Sequence, residues 1–296
     1  IGVSFPQGSD IFVSRISMNG TSLLSSTFLG GTQNDGINNS LKLKFNYADE
    51  VRGEIDIDNQ NNIYVATCTE STDFPIINGF QQNSNGEQEG CIIKMDNQLS
   101  SIIWSSYLGG GRDDAIYSLA IDEEDNIYVT GGTNSNNFPV TSNAYLNNYQ
   151  DSINSDAFIT QIKSNGLQIL NSSYFGTSYY DQSYFVETGN NGQVYLFDQT
   201  KSIGTQLVNN ANYFQSDGGQ FIAVFSADLT SLIRSTVVGT GKGTPDISPT
   251  AFLVDVCDKI YIAGWGSNLG GPLSTLNLPT TNNPLAYQQT TDGNDF

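Results

Sequence analysis

The feature that most constrains this sequence is an internal repeat of about 71 residues. A short apolar segment recurs along the chain, and the equivalent positions in it are Phe12, Cys91, Phe158, Phe221 and Phe296. After each of the first four, an apolar residue followed by glycine begins 17 residues later. Because this spacing is constant in four copies, it indicates one structural unit repeated in tandem.

Each repeat carries the pattern of two β-hairpins. The 17-residue spacing fits two strands of about six residues joined by a tight turn, as in residues 158–175. Further on, an alternating apolar segment and a polar turn lead into a segment such as Asn62-Ile63-Tyr64-Val65. Nothing has helical periodicity, and glycine and asparagine interrupt the segments. Four short antiparallel strands per repeat predict an all-β protein.

Tandem four-stranded units are typical of β-propeller blades, because radial stacking leaves only short, protected sheet edges. A β-solenoid is the main alternative, but its coils are usually much shorter than this repeat. The sequence therefore predicts a β-propeller built of four-stranded antiparallel blades.

The repeat resembles the bacterial β-propeller repeat known as the SBBP repeat. The resemblance runs through residues 106–110 (Ser-Tyr-Leu-Gly-Gly), Asp113-Asp114, residues 126–131 and Phe138-Pro139. It is strong over residues 89–163, good over 10–80 and weak over 164–290. Residues 255–266 are similar to segments in large secreted surface proteins of Bacteroidetes. Many of those proteins use the type IX secretion system, and they include gliding-motility and adhesin-like proteins.

The resemblance implies which strands are innermost and outermost in each blade. One β-propeller segment would then span residues 1–296: an outer half-blade at 1–31, blades at 32–110, 111–177 and 178–240, and an inner half-blade with the start of a further strand at 241–296. The two halves would either close a four-bladed ring or belong to an arc of a larger propeller. Asp295-Phe296 begins another outer hairpin, which would be redundant in a four-bladed ring, so we expect the arc.

The composition excludes several classes of function. The chain has no histidine, so Ser–His and Cys–His catalysis and histidine-ligated metal sites are impossible. It has 11 basic against 30 acidic residues, and a net charge of -19 would repel nucleic acid. No apolar run approaches the roughly 18 residues of a transmembrane helix. We therefore expect a protein that is not an enzyme and has neither a nucleic-acid partner nor a transmembrane segment.

Recurring carboxylates are the best candidates for metal ligands. We call the recurring pair of an apolar residue and a glycine the glycine element. Asp35, Asp114 and Asp181 each lie six residues after its apolar residue, and Asp246 lies eight residues after it. On one face of the blades they could supply oxygen ligands for Ca²⁺. We favour the alternative, in which each aspartate caps its own loop by accepting backbone N–H bonds. No cofactor is therefore expected.

Loop aromatic residues are the best candidates for a binding surface. Tyr179, Tyr180 and Trp265 could stack on sugars or on a partner protein, although aromatic residues in β-repeats more often lie in the core. The three cysteines, Cys68, Cys91 and Cys257, show no C-x-x-C spacing. They are either free thiols, buried as small apolar residues, or a disulfide with one thiol left over.

The leading hypothesis is a non-enzymatic extracellular interaction or scaffold module of a secreted or surface-attached bacterial protein. It would serve adhesion or gliding, or dock on the type IX secretion machinery at the outer membrane. Its partner would be a protein, a surface glycan or a larger outer-membrane complex. The alternative is an extracellular carbohydrate-active or metal-dependent enzyme, which would need two acidic side chains converging in one pocket.

Overall fold

A computed structural model describes residues 8–150, 153–267, 273–281 and 287–294. These residues form sixteen β-strands and one short 3-10 helix, Tyr47–Val51. The strands are β1 (Ile11–Ile16), β2 (Leu23–Leu29), β3 (Glu54–Ile57), β4 (Ile63–Thr69), β5 (Glu89–Met95), β6 (Ile102–Leu108), β7 (Asp114–Ile121), β8 (Ile127–Thr133), β9 (Asp156–Ile162), β10 (Ile169–Phe175), β11 (Asp181–Thr188), β12 (Val194–Thr200), β13 (Gln220–Phe225), β14 (Leu232–Val238), β15 (Ser248–Val254) and β16 (Ile260–Trp265).

The strands form three four-stranded sheets, β3–β6, β7–β10 and β11–β14, in which spatial order follows chain order and every pairing is antiparallel. Two two-stranded sheets, β1–β2 and β15–β16, flank them in the sequence. The predicted all-β propeller architecture of four-stranded blades is confirmed. Among the described residues β16 does not pair with β1, so the blades do not close into a ring, as expected for an arc; Asp295-Phe296, the predicted start of a further hairpin, lie outside the described residues.

Acidic turns explain why the hairpins reverse where they do. In the β3–β4 turn, the Asp58 carboxylate accepts hydrogen bonds from the backbone N–H of Gln60 at 3.0 Å and of Asn62 at 2.8 Å. Asn61 takes the left-handed conformation, with φ of 62°, which asparagine tolerates well. The same arrangement recurs in the β7–β8 and β15–β16 turns. Many of the negative charges therefore lie in turns.

Successive sheets pack face to face around their inner strands. Strand β7 contacts β3 and β4, β11 contacts β7 and β8, and β15 contacts β11 and β12. Between the first two four-stranded sheets, the core cluster contains Tyr64, Trp104, Ile116 and Phe158, all almost fully buried. The inner strands β3, β7, β11 and β15 thus lie next to one another along the arc.

Candidate functional site

The segment that joins β2 to β3 crosses the inner strands of the later sheets; we call residues 38–52 the crossing segment. The carbonyl oxygen of Leu43 accepts hydrogen bonds from Tyr117 of β7 at 2.5 Å and from Gln182 of β11 at 2.9 Å. At the end of the segment, Arg52 donates to Ser248 Oγ of β15 at 3.0 Å. The crossing segment therefore connects three inner strands that lie far apart in the sequence.

A buried ion pair anchors the crossing segment. Asp49 is fully buried and lies 2.9 Å from Arg52 Nε. Its carboxylate also accepts hydrogen bonds from the Phe45 backbone N–H at 2.7 Å and the Tyr184 hydroxyl at 3.1 Å. The Arg52 guanidinium lies 4.4 Å above the Tyr184 ring, a cation–π contact. A buried charge pair is tolerable only when further hydrogen bonds satisfy both groups, and here the chain itself supplies them.

Two of the three predicted binding aromatics contact this segment. Tyr180 is buried, its hydroxyl lies 3.1 Å from that of Tyr184, and its ring centroid is 5.4 Å from that of Phe45. Trp265 is half-buried, and its ring centroid lies 5.5 Å from that of Tyr47. Tyr179 is half-buried in the same loop as Tyr180. The structure therefore places the Tyr180 ring in the interior rather than on an open loop face.

Sequence reasoning missed the crossing segment, although one signal pointed to it. The stretch between Leu29 and Ile55 is longer than the equivalent stretch between Leu108 and Leu119. A longer connection at one junction of an otherwise regular repeat indicates an element with its own role.

A second feature of the inner strands is a group of three carboxylates, Glu54 and Asp56 on β3 and Glu187 on β11. Glu54 accepts hydrogen bonds from the Ser118 hydroxyl and from the Leu119 backbone N–H at 3.0 Å. Burial raises the pKa values of Glu54 and Asp56. Burial, together with the charges of Glu54 and Asp56, raises the pKa of Glu187 to about 7. Glu187 can therefore hold or release a proton near neutral pH, as a general acid or base must.

The recurring aspartates occupy equivalent loop positions, and each accepts a hydrogen bond from a backbone N–H group a few residues earlier. Loop capping accounts for these contacts. Within the described ranges, no group of three or more Cys, Asp or Glu side chains is arranged to hold a metal ion. The bonds run from Gly31 to Asp35 at 2.7 Å, from Gly110 to Asp114 at 2.7 Å, from Thr177 to Asp181 at 2.6 Å and from Thr240 to Asp246 at 2.8 Å.

Two carboxyl groups approach each other beside Gly109, the glycine that directly follows β6. A Cβ at Gly109 would lie 2.0 Å from Glu89 Oε2 and 2.6 Å from Asp114 Oδ2, so only glycine fits between them. Burial raises the pKa of Asp114 to about 8, and the Glu89 charge adds to this effect. Burial also raises the pKa of Glu89 to about 7. Glycine at this position thus permits a buried carboxylate pair; Asp10 and Asp35 flank Gly30 in the same way.

The two-stranded sheets expose apolar side chains that the four-stranded sheets bury. On β1–β2, Phe12 is 58% and Phe28 51% exposed, and their ring centroids are 5.4 Å apart. On β16, Tyr261 is 53% exposed. A groove of about 450 Å³ runs beside β1; residues 11–13 line one side and residues of β3 and β4 the other. We call it the β1 groove.

The cysteines form no disulfide. Cys68 and Cys91 are buried free thiols, whereas Cys257 is exposed. Burial raises the pKa of Cys68 to about 12, so its thiol stays protonated and unreactive at neutral pH.

Comparison with protein-family models places the repeat in the middle of the chain. Residues 103–139, from β6 through β8, match the β-propeller repeat family SBBP. The match includes Tyr107-Leu108-Gly109-Gly110 and extends to Phe138-Pro139, so the predicted repeat is confirmed here. No curated protein matches the sequence. Among the described residues, no helix has the length and apolar character needed to cross a membrane.

Proposed function

We propose that this chain, with its β-propeller repeat at residues 103–139, is a non-enzymatic extracellular interaction or scaffold module of a secreted or surface-attached bacterial protein. It would act in adhesion or gliding, or on the type IX secretion machinery. Its partner would be a protein, a surface glycan or a larger outer-membrane complex. The bacterial surface setting rests on the resemblance of residues 255–266 to secreted surface proteins.

The observation that carries this proposal is the exposed apolar surface of the two-stranded sheets. Single exposed apolar residues are ordinary, but neighbouring ones indicate an interaction surface. Phe12 and Phe28 form such a neighbouring pair on β1–β2. On the inner strands, by contrast, the Tyr117 and Tyr184 hydroxyls are already bound by Leu43 and Asp49 of the crossing segment. Recognition is therefore expected at the sheet surfaces.

The charge distribution also supports a non-nucleic-acid partner. A net charge of -19 favours a soluble chain that phosphate-rich surfaces repel. Part of this charge lies in separate turns, where Asp58, Asp122 and Asp255 accept backbone N–H bonds. We expect no cofactor; Ca²⁺ at the loop aspartates is the alternative.

The proposal is tested by photo-crosslinking in the cell envelope of the native host. A photoreactive amino acid replaces Phe28 on the exposed apolar surface, and a matched control chain carries it at the exposed, polar Lys163. We expect discrete crosslinks to another envelope component from position 28 and not from position 163. Equal, diffuse labelling from both positions would contradict the proposal.

Glu187 favours one second candidate, an extracellular carbohydrate-active enzyme. A carboxyl group with a pKa of about 7 close to two other carboxylates has the properties of a general acid in glycoside hydrolysis. The test is hydrolysis of a panel of aryl glycosides and polysaccharides by the unmodified chain and by Glu187→Gln. Turnover that disappears in Glu187→Gln would favour the enzyme, and no turnover by the unmodified chain would favour the interaction module.

A further inference from the structure

The third blade carries a patch of buried, oxygen-bearing side chains where its first two strands begin and end. On the β11–β12 pair, Asp181 lies opposite Thr200, and Ser183 lies opposite Asp198. Because side chains two residues apart on a strand share a face, these four side chains lie on the same side of the sheet. All four are fully buried.

The second blade shows which part of this patch is special to the third blade. There the register again pairs a loop aspartate with a threonine, but the next pair consists of Ile116 and Gly131. The aspartate and the threonine therefore belong to the repeat. Ser183 and Asp198 do not, since they stand where the second blade has an apolar residue and a glycine.

The patch lies beside the core between the second and third blades. Val194 and Leu196 share the face of Asp198, because the three alternate along β12. Both belong to a core cluster that includes Ala157 and Phe175 of the second blade. The Asp198 carboxyl group therefore lies next to an apolar core, where an uncompensated charge is very unfavourable.

Asp198 lacks the hydrogen bonds that a buried carboxyl group needs. Neither of its oxygens forms a hydrogen bond of ordinary geometry with a described residue, and the Ser183 hydroxyl forms none either. Burial raises the pKa of Asp198 well above its ordinary value; the nearby Ser183 hydroxyl partly offsets this effect, and the charge of Asp181 adds to it. Such buried groups are rare in folded proteins and indicate a bound water, an ion or another function.

A hard cation satisfies these groups better than a proton does. A proton removes the charge of Asp198 but leaves its carbonyl oxygen without a donor. A cation binds both carboxyl oxygens together with oxygens of Ser183 and Asp181, and a double positive charge matches two carboxylates. Ca²⁺ accepts irregular sets of oxygen ligands. Mg²⁺ needs a near-ideal octahedron and keeps several waters, which suits a fully buried patch less well.

We propose that the third blade binds one structural Ca²⁺ ion between β11 and β12, with Asp198, Ser183 and Asp181 as ligands. The ion would join two strands and the loop that begins the blade. This site differs from a row of loop aspartates, because Asp198 and Ser183 belong to the third blade alone. It goes beyond the proposed interaction function and does not depend on it.

The test measures the calcium content and the thermal stability of the purified chain. Because the site is buried, the chain is unfolded in urea with a chelator, desalted, and refolded with CaCl₂ or with KCl at the same ionic strength. The KCl sample is needed because screening alone can stabilise a chain with a net charge of -19. We expect one Ca²⁺ ion per chain after gel filtration. The midpoint of thermal unfolding should rise by roughly 5–10 °C when Ca²⁺ is present at about 100 times its dissociation constant.

Two variants and a matched control locate the ion. Asp198→Asn keeps the size of the side chain and should lose both the bound Ca²⁺ and its stabilising effect. A chain with both Ser183→Ile and Asp198→Gly carries the pair found in the second blade, so it should fold and show no response to Ca²⁺. The control, Asp114→Asn, changes the equivalent loop aspartate of the second blade and should keep the ion.

The proposal is wrong if the refolded chain holds no Ca²⁺, or if KCl stabilises it as much as CaCl₂ does. Loss of the Ca²⁺ response in Asp114→Asn as well would place the ion at the loop aspartates and reject this site. If Asp198→Asn alters the pH dependence of stability while Ca²⁺ has no effect, Asp198 holds a proton and the proposal also fails. The envelope crosslinks from position 28 are independent of all these results.

Discussion

Replacing the buried carboxyl of Asp114 should change how stability depends on pH. Asp114 is fully buried at the start of β7, and its pKa is about 8 in the folded chain against an ordinary value of 3.8. As pH rises above about 4, the unfolded chain releases this proton while the folded chain keeps it. The folded state then binds more protons, so its free energy of unfolding must fall as pH rises toward 8.

The size of the effect follows from the difference in pKa. Each pKa unit is worth about 1.4 kcal/mol, so about three units between pH 5 and pH 8 correspond to a loss of roughly 4 kcal/mol. Glu89, with a pKa of about 7, adds a loss of the same sign. No histidine titrates between pH 5 and pH 8, because the chain contains no histidine. In Asp114→Asn the amide oxygen can still accept from the Gly110 N–H, and no proton is exchanged at this position.

The assay is urea unfolding followed by tryptophan fluorescence, to which Trp104, buried between the first two blades, and the half-buried Trp265 contribute. The unmodified chain should lose several kcal/mol of unfolding free energy between pH 5 and pH 8, whereas Asp114→Asn should lose roughly 4 kcal/mol less, because only Glu89 and Glu187 still release protons in this window. Glu123→Gln, in an exposed turn, is the matched control and should follow the unmodified chain. Identical pH dependence in Asp114→Asn and the unmodified chain would refute the reasoning.

Two further predictions concern the crossing segment and the thiols. Asp49→Ala leaves the Arg52 guanidinium without its buried carboxylate. The free energy of unfolding, measured by urea titration, should therefore fall by about 3–5 kcal/mol. A loss below about 1 kcal/mol would mean that the ion pair does not anchor the crossing segment. In the folded chain a thiol reagent should label Cys257 quickly, and Cys68 and Cys91 only after unfolding; fast labelling of more than one thiol would contradict their burial.

The repeat made most of the fold predictable, because each blade is built from local patterns. The 17-residue spacing from Phe158 to Phe175 corresponds to the β9–β10 hairpin, and Asn126-Ile127-Tyr128-Val129 leads into β8. Such hairpins depend on turn residues and alternation that are visible in a short window. Counting the repeated hairpins was enough to predict both the four-stranded blades and the open arc.

The candidate site was less predictable because its contacts join distant parts of the chain. Arg52 meets Ser248 across a separation of 196 residues, and no local pattern marks that contact. Tyr180 lies in a loop, which favours exposure, but Phe45 and Tyr184 enclose it. Glu187 has an ordinary place in an alternating strand, and its high pKa depends on carboxylates from β3.

Gly109 of the glycine element affects both the junction between successive blades and the protonation of two buried carboxyl groups. Gly109 leaves room for Glu89 and Asp114 to approach each other, and backbone N–H and hydroxyl groups then bind their oxygens. Burying two carboxylates is unfavourable unless protons and hydrogen bonds compensate for the charge. A larger side chain at the glycine would separate the pair and displace the loop that begins the next blade. The same residue therefore sets the blade-to-blade junction and keeps part of the acidic composition uncharged inside the protein, so the net charge of -19 overstates the charge the folded surface carries.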